Sequence, residues 1–168
     1  TRGAELPVQI HPTDGGGYAF CGGTGCGIDL APQIFANNLN LEAVPLHEML
    51  HQVQWTYGGW SGLVQEGTAR MMQDKVYVDL DTSNGAGTMA AYFPQSNWFL
   101  MASIDKPLID QAYSSCLFWT YLTERYGAVT TEPQRGVDVI REVYTHNGDG
   151  TDDRQRINAV LGLLSPGI

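Results

Sequence analysis

Apolar residues come in short bursts over the first forty positions and in helical rhythm after them. Segments 6–12 (LPVQIHP), 18–23 (YAFCGG) and 27–35 (GIDLAPQIF) are set apart by DGGG and further glycines. Brief runs cut by Gly and Pro predict the strands of a small, mainly antiparallel sheet over about residues 1–40. From Pro45 the period changes. Leu46, Met49, Leu50 and Val53 recur at helical spacing until Gly58 and Gly59, and Pro45 suits the first position of a helix, where its missing N–H is not needed. A second helix is predicted over 62–76, with Ser61 as its N-cap.

Residues 79–97 are polar and glycine-rich and read as a long surface loop. A long helix is expected over 109–127, closed by Gly127, and two more over 135–146 and 152–164. In the joint between the last two, Asn147, Asp149, Thr151 and Asp153 alternate as calcium ligands do. The twelfth position of such a loop would be Asn158 rather than a glutamate, so calcium is not favoured and a turn with Thr151 or Asp152 as N-cap is expected. The pattern as a whole predicts an α+β fold in one domain, residues 1–168. Its sheet part covers about 1–40 and its active-site and helical part 41–168.

Composition changes this picture little. The 168 residues are 43% hydrophobic and 16% charged, an ordinary globular balance. Eighteen acidic residues against nine Lys plus Arg give a net charge of −9, which argues against nucleic acid or an anionic membrane surface as a partner. No apolar run approaches the roughly 18 residues of a spanning helix, and a monomer is expected. The chain starts at Thr1, as a mature form or an excised domain would, so any targeting signal lies outside it. Cys21 and Cys26 bracket CGGTGC and could close a small disulfide loop, while Cys116 sits in an apolar stretch. With only two lysines, this pair favours a secreted or extracytoplasmic protein; three reduced thiols in a cytosolic one is the alternative.

The stretch VPLHEMLHQVQW carries the candidate chemistry. His47 and His51 are four apart, so on a helix they share one face about 6 Å apart along the axis and can turn ring nitrogens toward one cation. Glu48 is rotated by about 100° from His47, beside such an ion rather than at it. Two ligands plus a general base acting on water acidified to a pKa of about 7 is the physical content of HExxH. A catalytic zinc wants a third protein ligand. His11 and His146 are possible donors, but Glu66 is the better candidate, since a two-glycine turn and a returning helix would bring its carboxylate back to the histidine face. Gly67 beside it allows close helix packing.

HExxH followed by Glu66, Gly67 and Ala69 in an xxEGxA setting resembles the gluzincin metallopeptidases, the broad thermolysin and alanyl-aminopeptidase clan. The resemblance spans residues 47–127. It implies a zincin-like architecture with the sheet packed on the zinc helix, one Zn2+ held by His47, His51 and Glu66, and Glu48 as the catalytic base. The segment AYSSCLFWTYLTERYG is similar to the aminopeptidase-type helix that carries an oxyanion-stabilising tyrosine, which would make Tyr113 that residue; a core tyrosine is the plain alternative. The chain also departs from the family. Where many members have an acidic residue that bonds a zinc histidine, four after the glutamate ligand, this chain has Arg70; Asp74, one turn further, could take that second-shell role. Fourteen residues separate His51 from Glu66, a shorter gap than in thermolysin. Nothing before His47 resembles the Gly-x-Met-Glu-Asn signature that anchors a free amino terminus in the aminopeptidases.

The expectation is therefore a zinc-dependent endopeptidase acting on protein or peptide substrates held along the edge strand of the sheet. Two alternatives stand beside it: an amidase or deformylase-like zinc hydrolase, and a zincin-fold binding module without turnover.

Overall fold

The structure, a computed structural model, describes residues 5–12, 16–23, 25–36, 38–76, 100–101, 105–131, 134–146 and 152–165, with backbone alone for residues 38–40 and 42. The loop expected over 79–97 lies outside the described residues, as do Asn147, Asp149 and Thr151 of the calcium-like joint. The fold is α+β. Strands β1 (Val8–Ile10), β2 (Gly17–Gly22) and β3 (Gly25–Leu30) form a sheet of order β1-β3-β2. Among the described residues five α-helices follow: α1 (Asn38–Tyr57), α2 (Gly62–Val76), α3 (Cys116–Tyr126), α4 (Val137–Thr145) and α5 (Asp153–Leu164). No described helix is long and apolar enough to cross a membrane.

The sheet is mixed, with six residue pairs antiparallel and three parallel. β2 and β3 form the expected antiparallel hairpin, with Cys21 opposite Cys26 and the two joined by a disulfide. β1 pairs parallel to β3 on the far side, Val8 against Ile28 and Ile10 against Leu30. The chain changes direction twice between β1 and β3, once before β2 and once in the hairpin, so β1 and β3 run in the same sense. This leaves β2 as an edge strand, paired on one side only among the described residues.

Two buried clusters hold the elements. Under the sheet, Ile28, Leu30, Ala31 and Ile34 pack with Val44 of α1. Among the helices, Leu63, Val64 and Met71 of α2 meet Trp119 and Leu122 of α3, Val143 of α4, and Ile157 and Val160 of α5. Each such side chain contributes roughly 1.5–3 kcal/mol by leaving water.

The helix boundaries hold three corrections. α1 begins at Asn38 and runs through Pro45 instead of starting there. Burial outweighs the proline: Ala43, one turn before His47, is fully enclosed, and its carbonyl accepts a hydrogen bond from Gln73 Nε2 of α2 at 2.6 Å. Ser61 does stand just before α2, and its carbonyl accepts from Val64 and Gln65, but its hydroxyl makes no capping bond. Its N–H donates instead to Asp153 Oδ2 at 2.6 Å. Asp153 also takes Arg156 at 2.8 Å, so this member of the supposed calcium set ties α5 to α2. Asp152 caps α5, accepting from the Gln155 N–H at 2.9 Å.

The helix expected over 109–127 begins only at Cys116. Before it lie two 3-10 turns, Leu108–Asp110 and Tyr113–Ser115, with Gln111 extended between them at φ −86°, ψ 147°. Side chains compete with the helix here. Ser114 donates to Gln111 Oε1 at 2.7 Å and Ser115 to the Ala112 carbonyl at 2.6 Å. Ser115 Oγ and Trp119 Nε1 both donate to the Leu63 carbonyl, at 3.0 and 2.7 Å. The turn carrying Tyr113 is thereby fixed against the first turns of α2.

Candidate metal centre

The face that α1 turns inward is polar. Ala43, His47, His51 and Gln54 follow one another down one side and all are buried, together with Glu48. Met49 and Val53, expected to help make an apolar face, are about half exposed at 53% and 45%. α2 packs antiparallel after the Gly58–Gly59 turn and returns Glu66 to the histidines. Gly67 beside it lets the Tyr113 turn and α3 close on α2, because a Cβ there would fall on Ser115 Oγ and lie 2.7 Å from the Trp119 ring.

Three donor groups converge. Glu66 Oε2 lies 3.2 Å from His47 Nε2 and 3.7 Å from His51 Nε2, and one ligand atom from each residue falls within 4.8 Å of the others. The imidazoles meet edge to face, with ring centroids 4.7 Å apart. Tetrahedral zinc at about 2.0–2.1 Å from each donor would separate them by roughly 3.3 Å, so the spacing suits such an ion.

Protonation supports the same reading. Gln54 Nε2 donates to the Gln65 carbonyl at 2.9 Å, and lies 2.9 Å from Thr68 Oγ1 and 3.1 Å from the Tyr144 hydroxyl. Its Oε1 is thus the acceptor for His51 Nδ1, 2.8 Å away, which must carry the hydrogen. His51 thereby turns its other nitrogen, Nε2, toward the Glu66 carboxylate. A proton or a metal ion between those two atoms would join them. Burial pushes the His47 pKa down, with His51 and Arg70 adding to the effect against the Glu66 hydrogen bond. Burial alone would raise Glu66, but the His47 bond, His51 and the Tyr113 hydroxyl bring it down on balance. Deprotonated imidazole and carboxylate are the forms a metal binds. The group His47, His51 and Glu66 can hold a metal ion.

Glu48 stands outside this group and against the sheet. Burial raises its pKa, opposed by His51 and by a hydrogen bond from the Ala19 N–H of β2. Ala19 stands opposite Ile28 on β2, an edge strand of the sheet. β2 comes this close because residue 17 is glycine: a Cβ there would lie 2.8 Å from Val44 Cγ1 and 2.9 Å from Glu48 Cγ. Gln52 fastens the hairpin to α1, donating to the Gly27 and Phe20 carbonyls at 2.8 and 3.2 Å.

Tyr113 reaches the centre from its 3-10 turn. Its ring stacks on His47 at 5.7 Å between centroids, and its hydroxyl bonds Glu66. Burial and the Glu66 charge raise its pKa, so the hydroxyl keeps its proton. Two cavities open here. One of about 230 Å3 is lined by His47, Glu48, His51, Glu66, Tyr113 and Ala19 among others. The other, of about 190 Å3, runs past His47, Glu48 and Tyr113 to Arg70 and Gln73.

The other sequence candidates lie elsewhere. His11 is exposed and pairs with Asp29 at 2.8 Å; its pKa is raised by the Pro12 carbonyl and by Asp29. His146 bonds the Glu142 carbonyl at the end of α4, at 2.8 Å. Asp74 is two turns past Glu66, roughly 12 Å along α2, and lines neither cavity; the residue that orients His51 is Gln54. Sequence reasoning missed Gln54, Gly17 and Ala19. Gln54 had a signal, since it is three residues past His51 and shares its face. Comparison with protein-family models, curated proteins and solved structures gives no match.

Proposed function

We propose that this chain is a zinc-dependent endopeptidase working by the chemistry of the gluzincins it resembles in sequence. The observation that carries the reading is the position of Glu48, a buried carboxylate outside the donor group that lines both cavities beside it. Two imidazoles and a carboxylate are a donor set suited to zinc. Bound zinc would supply Lewis acidity, polarising the scissile carbonyl and acidifying water. Glu48 takes the proton of the attacking water and delivers it to the leaving amine, a task its raised pKa favours. The Tyr113 hydroxyl, still protonated, donates to the oxyanion of the tetrahedral intermediate. An extended peptide fits beside β2, whose outer edge borders the site. The Cys21–Cys26 disulfide and the scarcity of lysine support a secreted setting.

The test is a digest of a diverse peptide library by zinc-loaded protein, by chelated protein and by Glu48→Gln. Internal cleavage by the first alone is the expected result. Protein that binds one zinc and leaves the library uncut would instead favour a binding module, and cleavage confined to modified amides an amidase.

A further inference from the structure

Arg70 is the one residue lining the metal cavities whose charge the hydrolytic scheme leaves unused. It follows Glu66 by four residues on α2, so it lies on the same helix face about 6 Å further along. Its guanidinium is partly buried, and the Nε is fully enclosed without an acceptor. Nη1 donates to Gln73 Oε1 at 2.7 Å, a neutral amide held in turn by the Ala43 carbonyl. The guanidinium lies 5.2 Å from the centroid of the Tyr113 ring. No described carboxylate comes within ion-pair distance of it. A buried cation is costly unless an anion completes it.

The guanidinium borders the cavity of about 190 Å3 that also holds His47, Glu48, Gln73, Gly16 and Gly17. We propose that this cavity is a substrate subsite in which Arg70 binds a carboxylate one or two residues from the bond to be cut. The distance decides the placement: about 6 Å of helix from Glu66 to Arg70 matches one to two residues of extended chain at roughly 3.3 Å each. Guanidinium is suited to the task, since its planar fork fits a carboxylate through two hydrogen bonds. The carboxylate belongs either to an Asp or Glu side chain or to the substrate's own C-terminus. The proposal rests on the endopeptidase reading for what kind of chain carries it.

The test uses zinc-loaded protein and pairs of peptides that differ only as Glu against Gln, or Asp against Asn, at each position around the cleavage point. Every pair is made with a free and with an amidated C-terminus. The wild type is expected to favour the carboxylate member by about tenfold or more in kcat/KM at one position, and the ratio should fall to near one in Arg70→Met. Preference that follows the free terminus assigns the subsite to the chain end; preference that follows the side chain assigns it to an internal acid. A wild type without preference overturns the proposal whether or not the variant folds. So does an Arg70→Met protein in which both members fall by one factor, because Arg70 would then act on Glu48 or Glu66. If the wild type cuts nothing, the endopeptidase reading fails by itself. Calorimetric titration with the same pairs then decides the subsite: tighter binding of the carboxylate member, lost in Arg70→Met, supports it, and equal Kd values overturn it.

Discussion

His51 Nδ1 lies 2.8 Å from Gln54 Oε1, one turn further along the same helix. The amide cannot turn over without losing its bond to the Gln65 carbonyl, which only an N–H can make, so it fixes the tautomer that leaves Nε2 free for a metal. Burial pushes Tyr144 up to about 12, which keeps its hydroxyl in the network as a proton donor. Gln54→Met retains volume but removes this hold. Zinc affinity is expected to drop about 10–100-fold, with a stability loss of about 1–3 kcal/mol from the partners left unsatisfied. Competition titration against a zinc dye and thermal melting measure the two effects. An unchanged zinc Kd would show that Gln54 serves packing alone.

Glu48→Gln and Glu66→Ala should separate base from ligand. The first is expected to keep about one zinc per chain and lose nearly all hydrolysis, since the donors remain while the proton acceptor is gone. Glu66→Ala should lose metal and activity together, as should His47→Ala and His51→Ala. Elemental analysis beside a peptide assay reads both quantities. Apo protein from Glu48→Gln would make Glu48 a ligand, and full zinc in Glu66→Ala would remove Glu66 from the donor set.

The helical skeleton and the donor group are legible in the sequence because both depend on short-range spacing. A four-residue interval places His47 and His51 together whatever the rest of the chain does, and the two-glycine turn returns α2 over α1. Periodicity is less informative where tertiary contacts decide. Met49 and Val53 belong to the apolar helical pattern, yet the buried side of α1 is polar, because Gln54, Glu66 and the Ala19 N–H supply partners that spacing does not reveal. Pro45 reads as a helix start, but packing of Ala43 against α2 carries the helix back to Asn38. The pattern around Tyr113 predicts a helix. The residue sits on a 3-10 turn because Ser114 and Ser115 satisfy neighbouring groups with their hydroxyls.

Gly67 controls how closely the Tyr113 turn approaches α2. Gly67→Ala would push a methyl onto Ser115 Oγ and the Trp119 ring, so a destabilisation of about 1–3 kcal/mol is expected. A methyl on Gly59 would meet no atom within 4 Å, and Gly59→Ala should change stability by less than about 0.5 kcal/mol. Denaturant melts of both variants check the contrast. Equal stability would mean that α3 shifts freely, and the fixed placement of Tyr113 beside Glu66 would lose its basis.

Tyr113→Phe tests the oxyanion role of the hydroxyl. The ring stack on His47 survives the change, but the hydroxyl bond to Glu66 does not. Two consequences differ in size. Losing one hydrogen bond to a metal-ligand carboxylate costs about 0.5–1.5 kcal/mol, at most roughly tenfold in zinc affinity. Losing an oxyanion donor costs on the order of 3 kcal/mol, about a hundredfold in rate, and falls on kcat more than on KM because the bond is made only in the transition state. Kinetics at saturating zinc separate them. A kcat still about a hundredfold low there assigns the hydroxyl to the transition state. A kcat restored by excess zinc confines Tyr113 to steadying Glu66, and the oxyanion role is lost.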